Sequence, residues 1–200
     1  IAWQERNADV LPDAHWVGGN PWTGSKAEVY GWAAWNGTKS TLALRNGAND
    51  AQTFTFTLRQ ALNIPKNVSG SIILRSAFGI QDALEGLAEG TPINIDTELT
   101  VKLPGSSIYG FEGIDAEATI NKVESITLTT ENGETSVAAN RTLVINAAIA
   151  PAKATFPAIA WSSSNPEVAT VEGGLVIPLK EGEVTITATA TDGSGIPASV

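Results

Sequence analysis

The sequence has no cysteine, no methionine and a single histidine, His15. Without cysteine there is no thiol nucleophile, no thiolate metal site and no disulfide; many exported bacterial proteins also avoid cysteine, so the compartment stays open. A lone histidine rules out a histidine-based triad or multi-histidine metal site, and beside Trp16 it reads as a packed or capping residue. Charge is sparse: 16% of the 200 residues are charged, 12 basic ones stand singly among 21 acidic ones, and the net charge is −9. Nucleic-acid binding needs clustered lysine and arginine, so that class is set aside. No run approaches the roughly 18 apolar residues of a membrane-spanning helix, and the opening IAWQERNADVLPDAHW lacks a basic start followed by an apolar stretch. No membrane insertion is expected. The chain reads as a piece of a longer one, with any export signal lying upstream.

What is present points to strands. Apolar residues make up 42% of the chain, and 19 glycines and 10 prolines punctuate it at short intervals, as turns punctuate many short strands. Alternating runs fall at 28–35, 40–46, 52–62, 70–78, 98–105 and 107–114. In TFTFTL, Phe54, Phe56 and Leu58 share one side and Thr53, Thr55 and Thr57 the other, as in a strand with one buried face. Asn46-Gly47 and Asn49-Asp50 suit a hairpin connection between 40–46 and 52–62. Residues 1–14 are the helical candidate near the start, ended by Pro12. The stretch HWVGGNPWTG reads as a glycine-rich loop without regular structure, and 79–97 as a loop or short helical turn. The expected fold is all-β, two β-sandwich domains in tandem, over residues 1–115 and 116–200.

In the second half Trp161 ends a strand, and SSSNP forms a turn in which serine and asparagine bond the backbone and Pro166 fixes φ. Gly173-Gly174 and Glu181-Gly182 turn the chain again, and Val184, Ile186, Ala188 and Ala190 share one face. On Val123, Ile126 and Leu128, then RTLVINAAIAPAKAT (141–155), then IAWSSSNPEVATVEGGLVIPLKEGEVTITATATDGS (159–194), this half resembles the bacterial immunoglobulin-like group 2 family. The resemblance implies an immunoglobulin-like sandwich of surface or secreted bacterial proteins, used as stalk or spacer, with no catalytic residue to carry over. It also departs from the family: Ala139-Asn140 stands where a glycine is usual. The family shows a strand residue or two more after the last turn than this chain has before Val200, so the final strand reads as incomplete or shared with a following domain.

Residues 1–115 resemble, on RNADVLPDAHWVGGNPW (6–22), VYGWAAW with TLALRN (29–46) and LTVKLPGSSIYGFE (99–112), the C-terminal β-sandwich of α-galactosidase-like glycoside hydrolases. The catalytic aspartates of such enzymes lie on barrel strands that have no counterpart here, so no catalytic residue is assigned. The resemblance implies an accessory region beside an upstream catalytic domain of the same polypeptide, extracellular or at the cell surface.

Five of the six tryptophans fall within the first 35 residues. With Tyr30 they suit a stacking platform, because flat aromatic faces bind the apolar faces of sugar rings. The candidate carbohydrate-binding residues are Trp16, Trp22, Tyr30 and Trp35, and the corresponding partner is a polysaccharide or host glycan. The competing reading packs Trp32 and Trp35 between the sheets and sets Trp3, Trp16 and Trp22 against an upstream barrel. Trp161 reads as core. Asp82, Glu85 and Glu89 suit a solvated face rather than the opposed carboxylates of a glycosidase. Asp50, Asp96 and Asp192 sit in turns without a twelve-residue calcium loop, so no metal and no cofactor is expected.

Overall fold

The computed structural model describes residues 2–21, 27–79, 81–138 and 140–200. The chain divides into two compact units, one of Ile1–Ala77 with Gln81–Thr119 and one of Phe78–Ile80 with Ile120–Val200. Both are built from antiparallel strands, and the all-β class expected from the alternating runs is the class observed.

The first unit opens with a short helix α1 (Ala2–Arg6) and a 3-10 turn at Leu11–Asp13, where Pro12 sits inside the first turn and no ladder N–H is lost. Strands β1 (His15–Gly18), β2 (Tyr30–Trp35), β3 (Lys39–Asn46) and β4 (Gln52–Thr57) follow, then helix α2 (Leu58–Ala61). Strands β5 (Ser71–Ser76), β6 (Pro92–Asn94), β7 (Glu98–Leu103) and β8 (Ser107–Asp115) complete it. The sheet order is β1-β2-β3-β8-β5-β6, faced by the pair β4-β7. One cluster joins Leu42, Leu44, Leu74 and Phe111 of the large sheet to Phe56, Val101 and Leu103 of the small one. Burial of these side chains, each worth about 1.5–3 kcal/mol, holds the two layers together.

Three local expectations change. The loop expected at His15 begins as a strand, because Gly18, at φ 85°, ends β1 rather than dissolving it; a side chain there would run into the Val29 carbonyl oxygen. The strand expected through residue 62 stops at Thr57, which caps α2: its hydroxyl accepts from the Gln60 N–H while the Gln60 side chain accepts from the Thr57 N–H. The hairpin expected between β3 and β4 is a crossing between sheets, since β3 pairs with β2 and β8 while β4 pairs with β7. Asn46, fully buried, holds that crossing. Its side-chain amide donates to the carbonyls of Asp50 (2.8 Å), Leu103 (3.2 Å) and Pro104 (2.9 Å), and its oxygen accepts from Ala48 N–H and the Gln52 side chain. Of the stretch 79–97, residues 81–97 are irregular apart from β6 and a bridge from Glu85 to Lys102.

The second unit contains β9 (Ser125–Thr130), β10 (Leu143–Ala150), β11 (Ile159–Ser163), β12 (Ala169–Glu172), β13 (Leu175–Pro178), β14 (Ile186–Ala190) and β15 (Pro197–Ser199). They form a four-stranded sheet β12-β13-β10-β9 and a three-stranded sheet β11-β14-β15. Ile186, Ala188 and Ala190 are buried on one face of β14, as their spacing predicts. Trp161, half-buried, packs against both apolar clusters of this unit.

Candidate functional site

The large sheet of the first unit has one face in the core and one turned outward, and alternation assigns every residue to a side. Val17, Ala33, Leu42, Leu44, Tyr109 and Phe111 face the core. The register then lays out rows on the other face. Trp16 stands opposite Trp32, Trp32 opposite Ala43 and Ala43 opposite Gly110. In the next row Gly18 stands opposite Tyr30, Tyr30 opposite Arg45 and Arg45 opposite Ile108.

Because Gly18 has no side chain, the Trp16 ring leans over Tyr30. The two rings stack with centroids 5.1 Å apart and planes 7° apart. Trp32 meets Trp16 at 5.1 Å and 77°, and Tyr30 at 5.9 Å and 73°. Two indoles therefore meet at nearly a right angle above a tyrosine. Trp16 is 41% and Trp32 50% exposed, whereas Tyr30 beneath them is buried. The Trp16 ring N–H donates to the Gly19 carbonyl at 3.1 Å, and the Arg45 guanidinium lies 5.9 Å from the Tyr30 ring centre. Each stacked or edge-on pair is worth about 0.5–1.5 kcal/mol, which favours a corner already assembled before any ligand arrives. Ile108, 68% exposed, extends the apolar surface across the sheet.

The same face is closed at its other end. Ala34, Thr41 and Glu112 form the next row, and all three are buried although they point outward. Glu112 accepts from Arg6 Nε at 2.8 Å and from the Asn7 amide at 2.7 Å, and Lys39 Nζ donates to the Arg6 carbonyl at 3.2 Å. The N-terminal segment lies over this end and leaves the aromatic corner uncovered.

The expected sugar-binding residues are thus distributed as follows. Trp16 and Tyr30 are brought together. Trp35, which shares parity with Ala33, packs half-buried against the core on the opposite face. Trp22 lies outside the described residues. Trp32, read from the sequence as packed between the sheets, is the third member of the corner; the alternation Tyr30, Trp32, Ala34 was the signal for it, and with the Trp16 strand read as loop the row could not be assembled. His15 points to the core side, with Nε2 2.9 Å from the Ala61 carbonyl oxygen.

The acidic residues are held singly. Glu85 pairs with Lys102 at 3.3 Å, Glu89 accepts from Ser76 N–H at 2.8 Å, and Asp96 forms a two-point pair with Arg59 at 2.5 and 2.8 Å. The Arg59 hydrogen bond holds the Asp96 carboxyl below the usual carboxylate range, with their charge attraction assisting and partial desolvation opposing. Among the described residues no group of three or more histidine, cysteine, aspartate or glutamate side chains could hold a metal ion. No helix among them is long and apolar enough to cross a membrane.

Two facing sheets of four and three antiparallel strands, with a tryptophan wedged between them, place the second unit in the immunoglobulin-like class. Residues 122–198 match the family model of the bacterial Ig-like domain (group 2). The 3-O-alpha-D-galactosyl-alpha-L-arabinofuranosidase of Bifidobacterium longum subsp. longum is 37% identical over 86 residues, which are 40% of this chain and 8% of that protein. The chain therefore spans less than a tenth of the length of that relative.

Proposed function

We propose that the chain is a non-catalytic accessory region of a secreted or surface-held bacterial protein related to glycoside hydrolases. In this reading residues 1–115 form a scaffold sandwich beside an upstream catalytic domain, and residues 116–200 form a spacer. The observation that carries it is the Ig-like domain within a polypeptide that shares sequence with an arabinofuranosidase. The acidic residues add support: Glu85, Glu89 and Asp96 are each taken up by a partner of their own, Lys102, the Ser76 N–H and Arg59, whereas glycoside hydrolysis uses two carboxyl groups facing one bond. The test is hydrolysis of aryl galactosides and aryl arabinofuranosides by the purified chain. Release at the buffer rate is expected, and turnover abolished by a single carboxylate substitution would overturn the reading.

A second reading is favoured by the corner of Trp16, Tyr30 and Trp32: the accessory region also holds a glycan. Half-exposed indoles at a right angle offer a flat apolar surface for one ring face of a sugar and an edge for its neighbour, with the Arg45 guanidinium nearby as a hydrogen-bond donor. Arabinose- and galactose-bearing polysaccharides are the first ligands to try, given the relative's name. Quenching of tryptophan fluorescence by such a polysaccharide, lost in a Trp16→Ala, Trp32→Ala double variant of unchanged melting temperature, is the expected result. Equal quenching of both proteins, or of neither, would remove the corner as a binding site.

A further inference from the structure

Three asparagines in the chain are followed directly by glycine, at 36–37, 46–47 and 132–133. Such a pair carries its own chemistry: the glycine nitrogen, unhindered by a side chain, can attack the asparagine side-chain carbonyl carbon once it swings behind it. The fold decides which of the three is free to react. The Asn36 side-chain oxygen accepts from the N–H groups of Thr38 (3.1 Å) and Lys39 (2.9 Å) and from the Thr38 hydroxyl (3.2 Å), and its amide nitrogen donates to Asp9 at 3.4 Å. Asn46 is buried and engaged at both ends of its amide, as the β3–β4 crossing requires.

Asn132 differs on every count. It follows β9 in an exposed turn, Glu131 to Glu134, closed by the Glu134 N–H donating to the Glu131 carbonyl at 3.1 Å. Asn132 sits at φ 54°, ψ 16° and Gly133 at φ 71°, the pair of left-handed conformations that the tightest turns ask of Asn-Gly. Among the described residues neither the Asn132 side-chain amide nor the Gly133 N–H has a hydrogen-bond partner. A side chain at Gly133 would meet nothing within 4 Å, so no neighbour crowds the nucleophile. Beyond its closing bond the turn is held by the Thr130 hydroxyl, which donates to the Glu134 carbonyl at 2.6 Å. Exposed turns held this lightly open readily.

The geometry points to Asn132 as a site of self-modification, in which the side-chain amide is lost and the backbone is partly rerouted, with water as the co-reactant. The Gly133 nitrogen forms a bond to Asn132 Cγ and gives up its proton; the Cγ–Nδ2 bond breaks, and Nδ2 leaves as ammonia carrying that proton. A cyclic imide remains. Water then adds to either of its carbonyls. Opening between Cγ and the Gly133 nitrogen leaves aspartate, whereas opening between the backbone carbonyl carbon and that nitrogen leaves isoaspartate, with the chain running through Cγ. Either product sets a new carboxylate between Glu131 and Glu134, where like charges repel. Isoaspartate also adds a carbon to the backbone, which the closing bond of the turn cannot span unchanged. The turn after β9 is thus where age alters the second unit first. The inference is independent of any glycan bound by the first unit.

The test holds the full chain in warm, mildly alkaline buffer, folded and in parallel in concentrated urea, and follows all three sites by peptide mapping, with isoaspartate counted by enzymatic methyl transfer to its α-carboxyl. In urea the three pairs are expected to convert at like rates. In the folded chain Asn132 is expected to convert roughly tenfold or more faster than Asn36 and Asn46, whose amides must first break their bonds. Asn132→Gln keeps the amide but sets its carbonyl one bond further from the nitrogen, and should abolish the early acidic shift seen by anion exchange. First conversion at Asn36 or Asn46, equal rates at the three sites in the folded chain, or an acidic shift retained in Asn132→Gln would overturn the proposal. So would an Asn132 that stays intact in the folded chain while the unfolded chain converts.

Discussion

Asp192 reaches across the second sandwich to the residue that starts it: its Oδ2 accepts the backbone N–H of Val123 at 2.5 Å, sixty-nine positions earlier in the chain. Its other oxygen accepts from the N–H and the hydroxyl of Ser194, and the carboxylate is 1% exposed. The acid in the TDGSG turn is thus structural, a clamp between the segment leading into β9 and the last hairpin.

Asp192→Ala is therefore expected to destabilise the second unit by about 2–3 kcal/mol, because a buried N–H loses a charged acceptor. Urea unfolding followed by Trp161 fluorescence reports on this unit. A midpoint unchanged from the parent would show that the clamp contributes nothing.

Asn46→Ala should act on the first unit alone. It leaves three carbonyls and one N–H of the β3–β4 crossing without their side-chain partner, and a loss of about 2–4 kcal/mol is expected. Asn46→Asp should also destabilise, since a carboxylate repels the three carbonyls that the amide satisfies. Differential scanning calorimetry resolving two transitions would show the lower shift confined to one of them.

The pair of Arg59 and Asp96 sets a pH dependence. The Asp96 carboxyl is lowered in the folded state, so its stabilising effect is complete above the unfolded carboxylate value of about 3.9 and is lost as pH falls through the lower folded value. The expected outcome is a loss of stability below about pH 4 that is smaller in Asp96→Asn. Urea midpoints of both proteins measured between neutral and strongly acidic pH check it, and parallel curves would rule the pair out.

Gly18→Ala tests the aromatic corner without touching a ring. The residue sits at φ 85° against the Val29 carbonyl, so an added methyl must displace β1. A cost of about 1–3 kcal/mol is expected, together with a red shift and easier acrylamide quenching of tryptophan emission as Trp16 leaves Tyr30. Quenching equal to that of the parent would mean that the stack does not depend on the glycine.

The strand pattern was legible because polar and apolar residues alternate cleanly in TFTFTL, STLALRN and VTITATAT, and the Ig-like half was legible from separated motifs in order. The corner was only partly so. Trp16 and Tyr30 were marked by type, but which tryptophan joined them depended on a strand pairing between residues 15–18 and 30–33, hidden by the glycines around it. Parity within YGWAAW separates Trp32 from Trp35, yet only the core's position says which of the two faces outward. The capping pair Thr57 and Gln60 was visible as T-x-x-Q and was overridden by the apolar alternation running into it. The β3–β4 crossing could not be read at all, since turn residues fix a change of direction and not the sheet in which the next strand lands.

The buried Glu112 bears on how the first unit could be shortened. Its carboxylate is paired with Arg6 and accepts a hydrogen bond from Asn7, residues that precede every strand of the sheet. A version trimmed to begin at His15 would keep all eight strands and still break the buried pair beside Ala34 and Thr41, a loss of about 3–5 kcal/mol by the usual measure of such a pair. The working unit therefore begins with the first helix, and a domain cut drawn by strand boundaries alone would yield a less stable protein for reasons its strands do not reveal.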